Sequence, residues 1–338
     1  MEKVIIYGNC HVGVIMHYLK SSVEFCKRFQ IINIPLIQEI YSKSNDEIDN
    51  IPFEECDVFI HQEIQINNRY GVKYASENII KRLKPTCRII AIPNLYGLPL
   101  YLFPQCNINS DIKYRNSSFG FKDAIVENAI NDGYGISEII ESYEDELYYS
   151  QELIDKKYRL FLEKVQSREK KWDIKICKYL EKNKCAKLFF DPNHPSNTVL
   201  EYVVYELCNI LDININVRSA RGGVRYQLDS YEIPLCASVR KYLNLNSTKD
   251  INYIRKSCDA RKMISGEVDL QSYIEQYLVV LWLNGELVDY NRENIVRIYN
   301  KYRIKELLSN PVVVIKRAEN KFLRTNQHII TSMLSNVK

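Results

Sequence analysis

The chain has 338 residues, and 46% of them are hydrophobic, which is enough to form the core of one large domain or two smaller ones. Its 46 basic and 42 acidic residues are spread almost evenly and give a formal net charge of +4, so no broad surface for nucleic acid is expected. No secretion signal opens the sequence, and its longest apolar run, residues 277–283, is too short to cross a bilayer. We therefore expect a globular cytoplasmic protein without a transmembrane segment.

The ten cysteines show neither a Cys-x-x-Cys pair nor a regular spacing, which argues against a zinc ribbon and against a disulfide framework. In a reducing compartment most of them should be small, buried hydrophobic residues. The histidines have no cluster of carboxylates around them, so no metal site is predicted. A cysteine with a chemical role must therefore be identified by its surroundings.

Short runs rich in β-branched residues predict five strands, at residues 4–7, 30–34, 57–61, 87–92 and 187–190. Helical patterns lie between them, as sequential parallel strands require. The sequence therefore predicts an α/β fold of flavodoxin-like type, with a parallel sheet of about five strands flanked by helices.

Apolar residues at intervals of three, four or seven predict a helix at about residues 75–83, a long amphipathic helix over residues 137–182 and another over residues 196–211. The α/β domain is expected to end at residue 217.

Residues 218–338 are predicted to form a mainly helical C-terminal extension. It contains an apolar helix near residues 270–283 and a basic amphipathic helix near residues 293–308. The simplest interpretation is that the basic face of the helix near residues 293–308 is exposed to solvent. The alternative is weak binding to a membrane surface or a partner.

Polar side chains follow four of the predicted strands. Ligands bind beyond the carboxyl ends of parallel strands, so these side chains are expected to meet at one rim of the sheet. The segments are Gly8-Asn9-Cys10-His11 after the first strand, His61-Gln62 after the third, Pro93-Asn94 after the fourth and Asp191-Pro192-Asn193-His194 after the fifth.

Cys10 lies where the first strand turns into a helix, so its thiolate would face the positive end of the helix dipole. Gly8 lets the backbone approach closely, and the N–H of Cys10 with the side chain of Asn94 or Gln62 could donate to an oxyanion. The alternative is a small buried residue in a tight turn, and position alone does not decide between the two.

Asp191 and His194 are three residues apart in a loop that enters a helix, so both side chains could point into one cleft. His194 would then act as a general base that Asp191 orients. The alternative is a simple turn in which Ser196 caps the following helix. His11 borders the same rim and could assist or bind substrate.

Five short segments together resemble the WcbI-type polysaccharide biosynthesis family, over about residues 1–215. They are Ile-Tyr-Gly-Asn-Cys at residues 6–10, Asp-Val-Phe-Ile-His-Gln at 57–62, Ile-Pro-Asn-Leu-Tyr at 92–96, Ser-Arg-Glu at 167–169 with Asp173, and Asn-His-Pro-Ser at 193–196. The resemblance implies a coenzyme A-binding acetyltransferase of capsular or surface polysaccharide synthesis. Acetyl-coenzyme A would be the acyl donor, and a sugar or polysaccharide precursor the acceptor.

The family resemblance also implies a fold related to the SGNH hydrolases. Gly8-Asn9-Cys10 then corresponds to their Gly-Asp-Ser block, the segment from Asp191 to His194 to their Asp-x-x-His block, and Asn94 to their oxyanion asparagine. The sequence departs from the pattern of its relatives at two positions: Cys10 replaces a serine, and His11 stands where relatives commonly have glutamine. The Gly-x-Asn-Asp block of those hydrolases is not recognisable.

A cysteine suits acyl transfer from a thioester, because passing an acetyl group from coenzyme A to Cys10 exchanges one thioester for another. A sugar hydroxyl activated by His194 could then take the acetyl group. Direct transfer, with Cys10 only shaping the site, remains equally compatible with the sequence. An SGNH-like esterase or deacetylase and a non-catalytic module that binds coenzyme A or carbohydrate are the alternative functions.

Four arginines are candidates for binding the coenzyme A phosphates. Arg168 lies in the long predicted helix, where the usual alternative is a charge that faces solvent or bridges helix to sheet. Arg218, Arg221 and Arg225 surround the paired glycines 222 and 223, whose N–H groups could bind phosphate together with the cations. A solvated basic loop is the alternative there.

Overall fold

Four of the predicted strands form one parallel sheet, in which β1 (Glu2–Tyr7), β2 (Phe29–Ile31), β3 (Val58–Gln62) and β4 (Arg88–Ile92) lie in the order β2-β1-β3-β4. All five residues of β3 are buried, as expected for a strand covered on both faces. The computed structural model describes residues 1–43, 47–95, 106–108, 121–191, 193–216, 228, 234–245, 253–255, 266–283 and 297. The parallel α/β fold is confirmed for this part of the chain.

The chain leaves β1 through α1 (Cys10–Lys20) and α2 (Val23–Arg28) and enters β2 on one side of β1. It then passes through α3 (Ile37–Lys43) and two short 3₁₀ turns to β3 on the other side. The connections therefore diverge at the carboxyl end of β1. A crevice opens at such a point in parallel sheets, and this is where Cys10 lies.

The predicted fifth strand has a different partner. β7 (Phe189–Asp191) pairs antiparallel with β8 (His194–Pro195) and, among the described residues, is not hydrogen-bonded to the four-stranded sheet. The carboxylate of Asp191 accepts the backbone N–H groups of Asn193 and His194, and this turns the chain back at once. The predicted sheet of about five strands thus has four in the described residues.

The helix predicted over residues 137–182 is divided into α6 (Ile136–Glu144), α7 (Gln151–Arg168) and α8 (Cys177–Lys182), with a 3₁₀ turn at Glu169–Lys171. Its apolar stripe is nevertheless buried, including Phe161, Val165, Trp172 and Ile176. The short helix α4 (Ser76–Ile80) and the helix α9 (Asn197–Leu211) lie where helices were predicted.

The chain divides into two compact units. One consists of Met1–Leu98 and Arg159–Leu228 and contains the parallel sheet, and the other consists of Pro99–Tyr158 and Asp229–Lys338. The predicted boundary between residues 217 and 218 lies outside the described residues, as does nearly all of the predicted basic helix at 293–308.

The second unit contains two antiparallel strand pairs, β5 (Cys106–Ile108) with β6 (Phe121–Asp123) and β9 (Tyr253–Arg255) with β10 (Gly266–Val268). Its helices are α5 (Ala124–Asn131), α6, the first half of α7, α10 (Ala237–Tyr242) and α11 (Leu270–Leu283). The buried Asp123 begins α5 by accepting the N–H groups of Ile125 and Val126, and it also accepts the hydroxyl of Tyr273. Among the described residues, no helix is long and apolar enough to span a membrane.

Candidate active site

The turn after β1 places Cys10 at the first position of α1. Asn9 caps this helix, because its side-chain oxygen accepts the N–H of His11 at 3.0 Å. The N–H of Cys10 belongs to the first turn, whose amides have no acceptor within the helix. Cys10 is partly exposed, so its thiol stands beside backbone N–H groups at an accessible helix end.

Gly8 is required by the close approach of strand β3. A Cβ atom on Gly8 would lie 2.5 Å from Oε1 of Gln62 and 2.8 Å from Cγ1 of Val12. Gln62 occupies this space because its Oε1 accepts the N–H of Asn9 at 3.0 Å. The absence of a side chain at Gly8 thus allows β3 to hold the turn that carries Cys10.

Asp191 is completely buried, and its two oxygens have different tasks. Oδ1 accepts the N–H groups of Asn193 at 2.7 Å and His194 at 3.0 Å. Oδ2 lies 2.6 Å from Nδ1 of His194. The same carboxylate therefore shapes the loop and orients the imidazole ring.

The side chain of His194 also interacts with the side chain of Cys10. Because Nδ1 faces Asp191, the other ring nitrogen, Nε2, is the one available to the cysteine sulfur. Burial on its own would lower the pKa of His194, but the charge and hydrogen bond of Asp191 and the contact with Cys10 outweigh it and raise the pKa to about 10. His194 is therefore positively charged at neutral pH, between a carboxylate and a sulfur atom.

His11 and Gln62, which the sequence placed at the rim, are both buried. Nδ1 of His11 lies 3.2 Å from Nε2 of Gln62, and Nε2 of His11 lies 3.1 Å from the carbonyl oxygen of Asn193. Nε2 of Gln62 also donates to the carbonyl of Pro93 at 3.2 Å. Both amide hydrogens of Gln62 are thus donated within the protein, which leaves neither for an oxyanion.

The other predicted amide, Asn94, does border the open space. Its Oδ1 accepts from Nδ2 of Asn9 at 3.4 Å, and its Nδ2 donates to the carbonyl of Glu63 at 3.5 Å. These are long hydrogen bonds, so Asn9 and Asn94 are held together only loosely.

A cavity of about 780 Å³ opens at this rim. Cys10, Asn9, Asn94, Asn193 and His194 line it, and so does the predicted Arg168. The residues that sequence reasoning missed are Ile37, Gln38, Glu63, Ile64, Gln65, Asn67, Asn68, Arg69, Tyr70 and Lys164. Most of them follow β3. The rule that selects residues at the carboxyl ends of strands, which selected Gln62, would have included these if it had been extended by eight residues.

The motif residues 168, 169 and 173 divide between ligand-facing and structural positions. Arg168 lines the cavity and lies 5.4 Å from the ring centre of Trp172, and burial lowers the pKa of its guanidinium. Glu169 accepts the N–H groups of Ile176 and Cys177 at the start of α8. Asp173 accepts the N–H of Ala91 at 2.7 Å beside β4. Only Arg168 of the three is placed to meet a ligand in the cavity.

The remaining predicted phosphate-binding residues, Arg218, Arg221 and Arg225, lie outside the described residues. In the part of the chain that the structure describes, no group of three or more histidines, cysteines or acidic residues is arranged to hold a metal ion.

Cys10, at the end of β1 in a parallel α/β sheet, thus lies beside His194 and Asp191 of the β7–β8 turn. The chain belongs to the family of the polysaccharide biosynthesis enzyme WcbI, whose profile matches residues 3–216. No curated protein matches the sequence.

One solved structure resembles the whole chain. It is described as WcbI, a novel polysaccharide biosynthesis enzyme, in its native form without a disulfide bond between coenzyme A and a cysteine. The alignment covers 95% of this chain and 99% of that chain, with a TM-score of 0.68 and 16% sequence identity. At this identity the likeness shows a common fold.

Proposed function

We propose that this protein is an O-acetyltransferase that moves an acetyl group from acetyl-coenzyme A to a sugar hydroxyl in capsular or surface polysaccharide synthesis. The observation that carries the proposal is the hydrogen bond between Asp191 and His194, with Cys10 beside the histidine, at the wall of a cavity that Lys164 and Arg168 also line. The reaction belongs in the cytoplasm, where acetyl-coenzyme A is made. An SGNH-like fold agrees with the positions of Cys10 and the segment from Asp191 to His194.

The cavity suits an anionic donor that ends in a thioester. Lys164 and Arg168 are four residues apart on α7, so their side chains lie on the same face of the helix. Two cations at this spacing can bind the phosphates of coenzyme A, while the acetyl end lies at Cys10. The similar solved structure is described in relation to coenzyme A, and this supports coenzyme A as the donor.

The first step transfers the acetyl group to Cys10. The thiolate form of Cys10 attacks the carbonyl carbon of acetyl-coenzyme A while His194 carries its proton. A new carbon–sulfur bond forms, and the bond between that carbon and the coenzyme A sulfur breaks. His194 gives its Nε2 proton to the leaving sulfur and becomes neutral.

The second step returns the proton to His194. Neutral His194 takes the proton of the sugar hydroxyl, whose oxygen attacks the carbonyl carbon on Cys10. The oxygen ester forms, Cys10 leaves as a thiolate and His194 is charged again. The N–H of Cys10 and the amide of Asn9 or Asn94 are placed to donate to the oxyanion of both tetrahedral intermediates.

We expect the sugar acceptor to bind at the cavity wall formed by the start of α3 and by the segment that follows β3. Gln38, Gln65 and Asn67 supply amide groups there, and Tyr70 supplies an aromatic ring. Amides hydrogen-bond to hydroxyl groups, and an aromatic ring packs on the apolar face of a sugar. This wall agrees with a family that acts in polysaccharide biosynthesis.

Mass spectrometry of the intact protein tests the covalent route. After mixing with acetyl-coenzyme A, the wild type should gain the mass of one acetyl group and lose it when a suitable sugar is added. Cys10→Ala should show no adduct, whereas Cys26→Ala, which removes an exposed cysteine on α2, should behave as the wild type.

Three outcomes redirect the proposal. Sugar acetylation that persists in Cys10→Ala would favour direct transfer, with Cys10 only shaping the site. Failure to bind coenzyme A by calorimetry, together with hydrolysis of nitrophenyl acetate that depends on His194, would favour the esterase alternative. Ligand binding without turnover on any acceptor would indicate a non-catalytic module.

A further inference from the structure

The amide of Gln62 can have only one orientation. Oε1 faces the N–H of Asn9, which can only donate, and Nε2 faces the carbonyl of Pro93, which can only accept. Turning the amide round would bring donor to donor and acceptor to acceptor around a completely buried side chain. Nε2 of Gln62 therefore presents hydrogen atoms to its second neighbour, Nδ1 of His11.

The orientation of Gln62 fixes the proton on His11. Because Nδ1 accepts a hydrogen bond, the single ring proton of His11 lies on Nε2, which donates to the carbonyl of Asn193 at 3.1 Å. Burial and the nearby charge of His194 lower the pKa of His11 to about 3, which agrees with this neutral form. Both ring nitrogens are engaged, so His11 has none left for a substrate proton.

The peptide unit between Asn193 and His194 is consequently held at both ends. His11 binds its carbonyl oxygen, and Oδ1 of Asp191 binds its N–H at 3.0 Å. The ring of His194 leaves the backbone directly after this peptide unit. Its position beside Cys10 therefore depends on these two backbone contacts as well as on the hydrogen bond between Nδ1 and Asp191.

We propose that His11 and Gln62 are positioning residues, which lock the peptide before His194 to the turn that carries Cys10. The effect of this arrangement on catalysis rests on the proposed function, whereas the hydrogen-bonded arrangement itself does not. The connection runs from the N–H of Asn9 through Gln62 and His11 to the carbonyl of Asn193. It joins β1, β3, α1 and the β7–β8 turn at one place. The substrate-binding role first considered for these two side chains is thereby replaced.

NMR of the wild-type protein with ¹⁵N-labelled histidine tests the proton assignment directly. We expect one histidine whose Nε2 is protonated and whose Nδ1 is not, and which remains neutral throughout the neutral pH range. His11→Gln identifies its signal. A proton on Nδ1 of His11, or titration of His11 near its ordinary pKa, would overturn the proposal.

Three variants test the positioning role. In His11→Gln the new amide can accept from Gln62 and donate to the carbonyl of Asn193, so it should preserve the connection. His11→Leu removes both hydrogen bonds at similar volume. His61→Leu is the matched control, because His61 is a buried histidine near the end of β3 whose ring bonds to the backbone carbonyl of Gln62 and not to its side-chain amide.

The readouts are the pKa of His194 by NMR and the rate at which iodoacetamide alkylates Cys10, followed by peptide mass spectrometry. A charged imidazole beside a cysteine favours the reactive thiolate. In His11→Leu we expect the pKa of His194 to fall from about 10 and Cys10 alkylation to slow by about tenfold or more, as for a displaced catalytic group. His11→Gln and His61→Leu should remain close to the wild type.

The proposal is overturned if folded His11→Leu keeps the wild-type pKa of His194 and the wild-type alkylation rate, or if His11→Gln loses both. If His11→Leu does not fold, the wild-type proton assignment and His11→Gln still decide. Neither readout uses coenzyme A or a sugar. A protein that keeps the His11 connection but does not bind coenzyme A would therefore contradict the proposed function and leave the positioning role intact.

Discussion

Nδ1 of His194 lies 2.6 Å from Oδ2 of Asp191, and this carboxylate is completely buried while the histidine side chain is 24% exposed. A buried carboxylate is costly unless it is paired and hydrogen-bonded, and Asp191 has three hydrogen-bond donors within its own loop. The loop is thus built around an ion pair, and the exposed side of the histidine faces Cys10.

Asp191→Asn should lower the pKa of His194 from about 10 to its ordinary value of 6.5 or below, because burial would then act without the compensating negative charge. Acetyl transfer should fall by about a hundredfold or more at neutral pH, since the ring loses its orientation and charge. A histidine titration by NMR measures the first effect, with His194→Gln to assign the signal. An unchanged pKa in Asp191→Asn would show that Asp191 does not hold the charge on His194.

The same ion pair predicts how stability depends on pH. The pKa of His194 is higher in the folded protein than its ordinary value, so the folded state binds the proton more tightly. The stabilisation should be fully present below about pH 6.5 and should disappear as the pH rises toward about 10.

Urea unfolding of the wild type and His194→Gln at about pH 6 and about pH 10 measures this effect. The difference in unfolding free energy between the two proteins should be larger at the lower pH. Comparing the two proteins at each pH removes the contribution of other titrating groups. A difference that grows with pH would contradict the assignment.

The parallel strands could be predicted because they are short runs rich in β-branched apolar residues, of which β3 is buried throughout. Residues 57–61 and 87–92 were expected, and Val58–Gln62 and Arg88–Ile92 are observed. The partner of a strand is harder to predict from the sequence. Phe189–Asp191 is short and, in the part of the chain that the structure describes, pairs only with His194–Pro195. A hairpin this tight depends on the carboxylate of Asp191, which an apolar pattern does not reveal.

The division of the long helix was missed for a similar reason. Trp172 and Ile176 continue the apolar stripe of Phe161 and Val165, so hydrophobic periodicity extends past the end of α7 at Arg168. The break is stabilised by Glu169, whose side chain binds the first N–H groups of α8. Periodicity reports which residues are buried, whereas such a side-chain hydrogen bond decides where a helix begins.

The strand-end rule brought Cys10, Asp191 and His194 to one rim, because it depends only on topology. It could not separate residues that face the cavity from those buried beneath it. Gln62 is the last residue of β3 and Asn94 lies two residues beyond the end of β4, yet Gln62 is completely buried and only Asn94 lines the cavity. The difference arises from hydrogen bonds between residues more than fifty positions apart.

Gly8→Ala should destabilise the protein by about 1–3 kcal/mol. The new Cβ would lie 2.5 Å from Oε1 of Gln62, which its hydrogen bonds with Asn9, His11 and Pro93 prevent from moving away. Gly13→Ala in α1 is the control, since its Cβ would meet only Leu36, at 3.8 Å. It should be neutral or stabilise by up to about 1 kcal/mol. Chemical denaturation compares them, and equal stability of the two variants would exclude the close approach at Gly8.

Arg168→Ala and Lys164→Ala should each weaken coenzyme A binding by about tenfold, because each removes one charged hydrogen-bond donor from the cavity wall. Arg159→Ala is the matched control, an exposed cation on the same helix that is not part of the cavity wall.

Calorimetry at two salt concentrations distinguishes a phosphate contact from a packing effect. Loss of a charge contact should reduce the salt dependence of coenzyme A binding, whereas loss of the packing of Arg168 on Trp172 should not. Arg168→Lys, which keeps the charge and loses the planar group, should fall between wild type and alanine. If Arg168→Ala or Lys164→Ala binds dephospho-coenzyme A as tightly as the wild type does, the missing side chain contacts the 3′-phosphate. If the variant binds dephospho-coenzyme A with the same loss of affinity as coenzyme A, the side chain contacts the diphosphate. Equal affinity of Arg159→Ala and Arg168→Ala for coenzyme A would place the phosphates elsewhere.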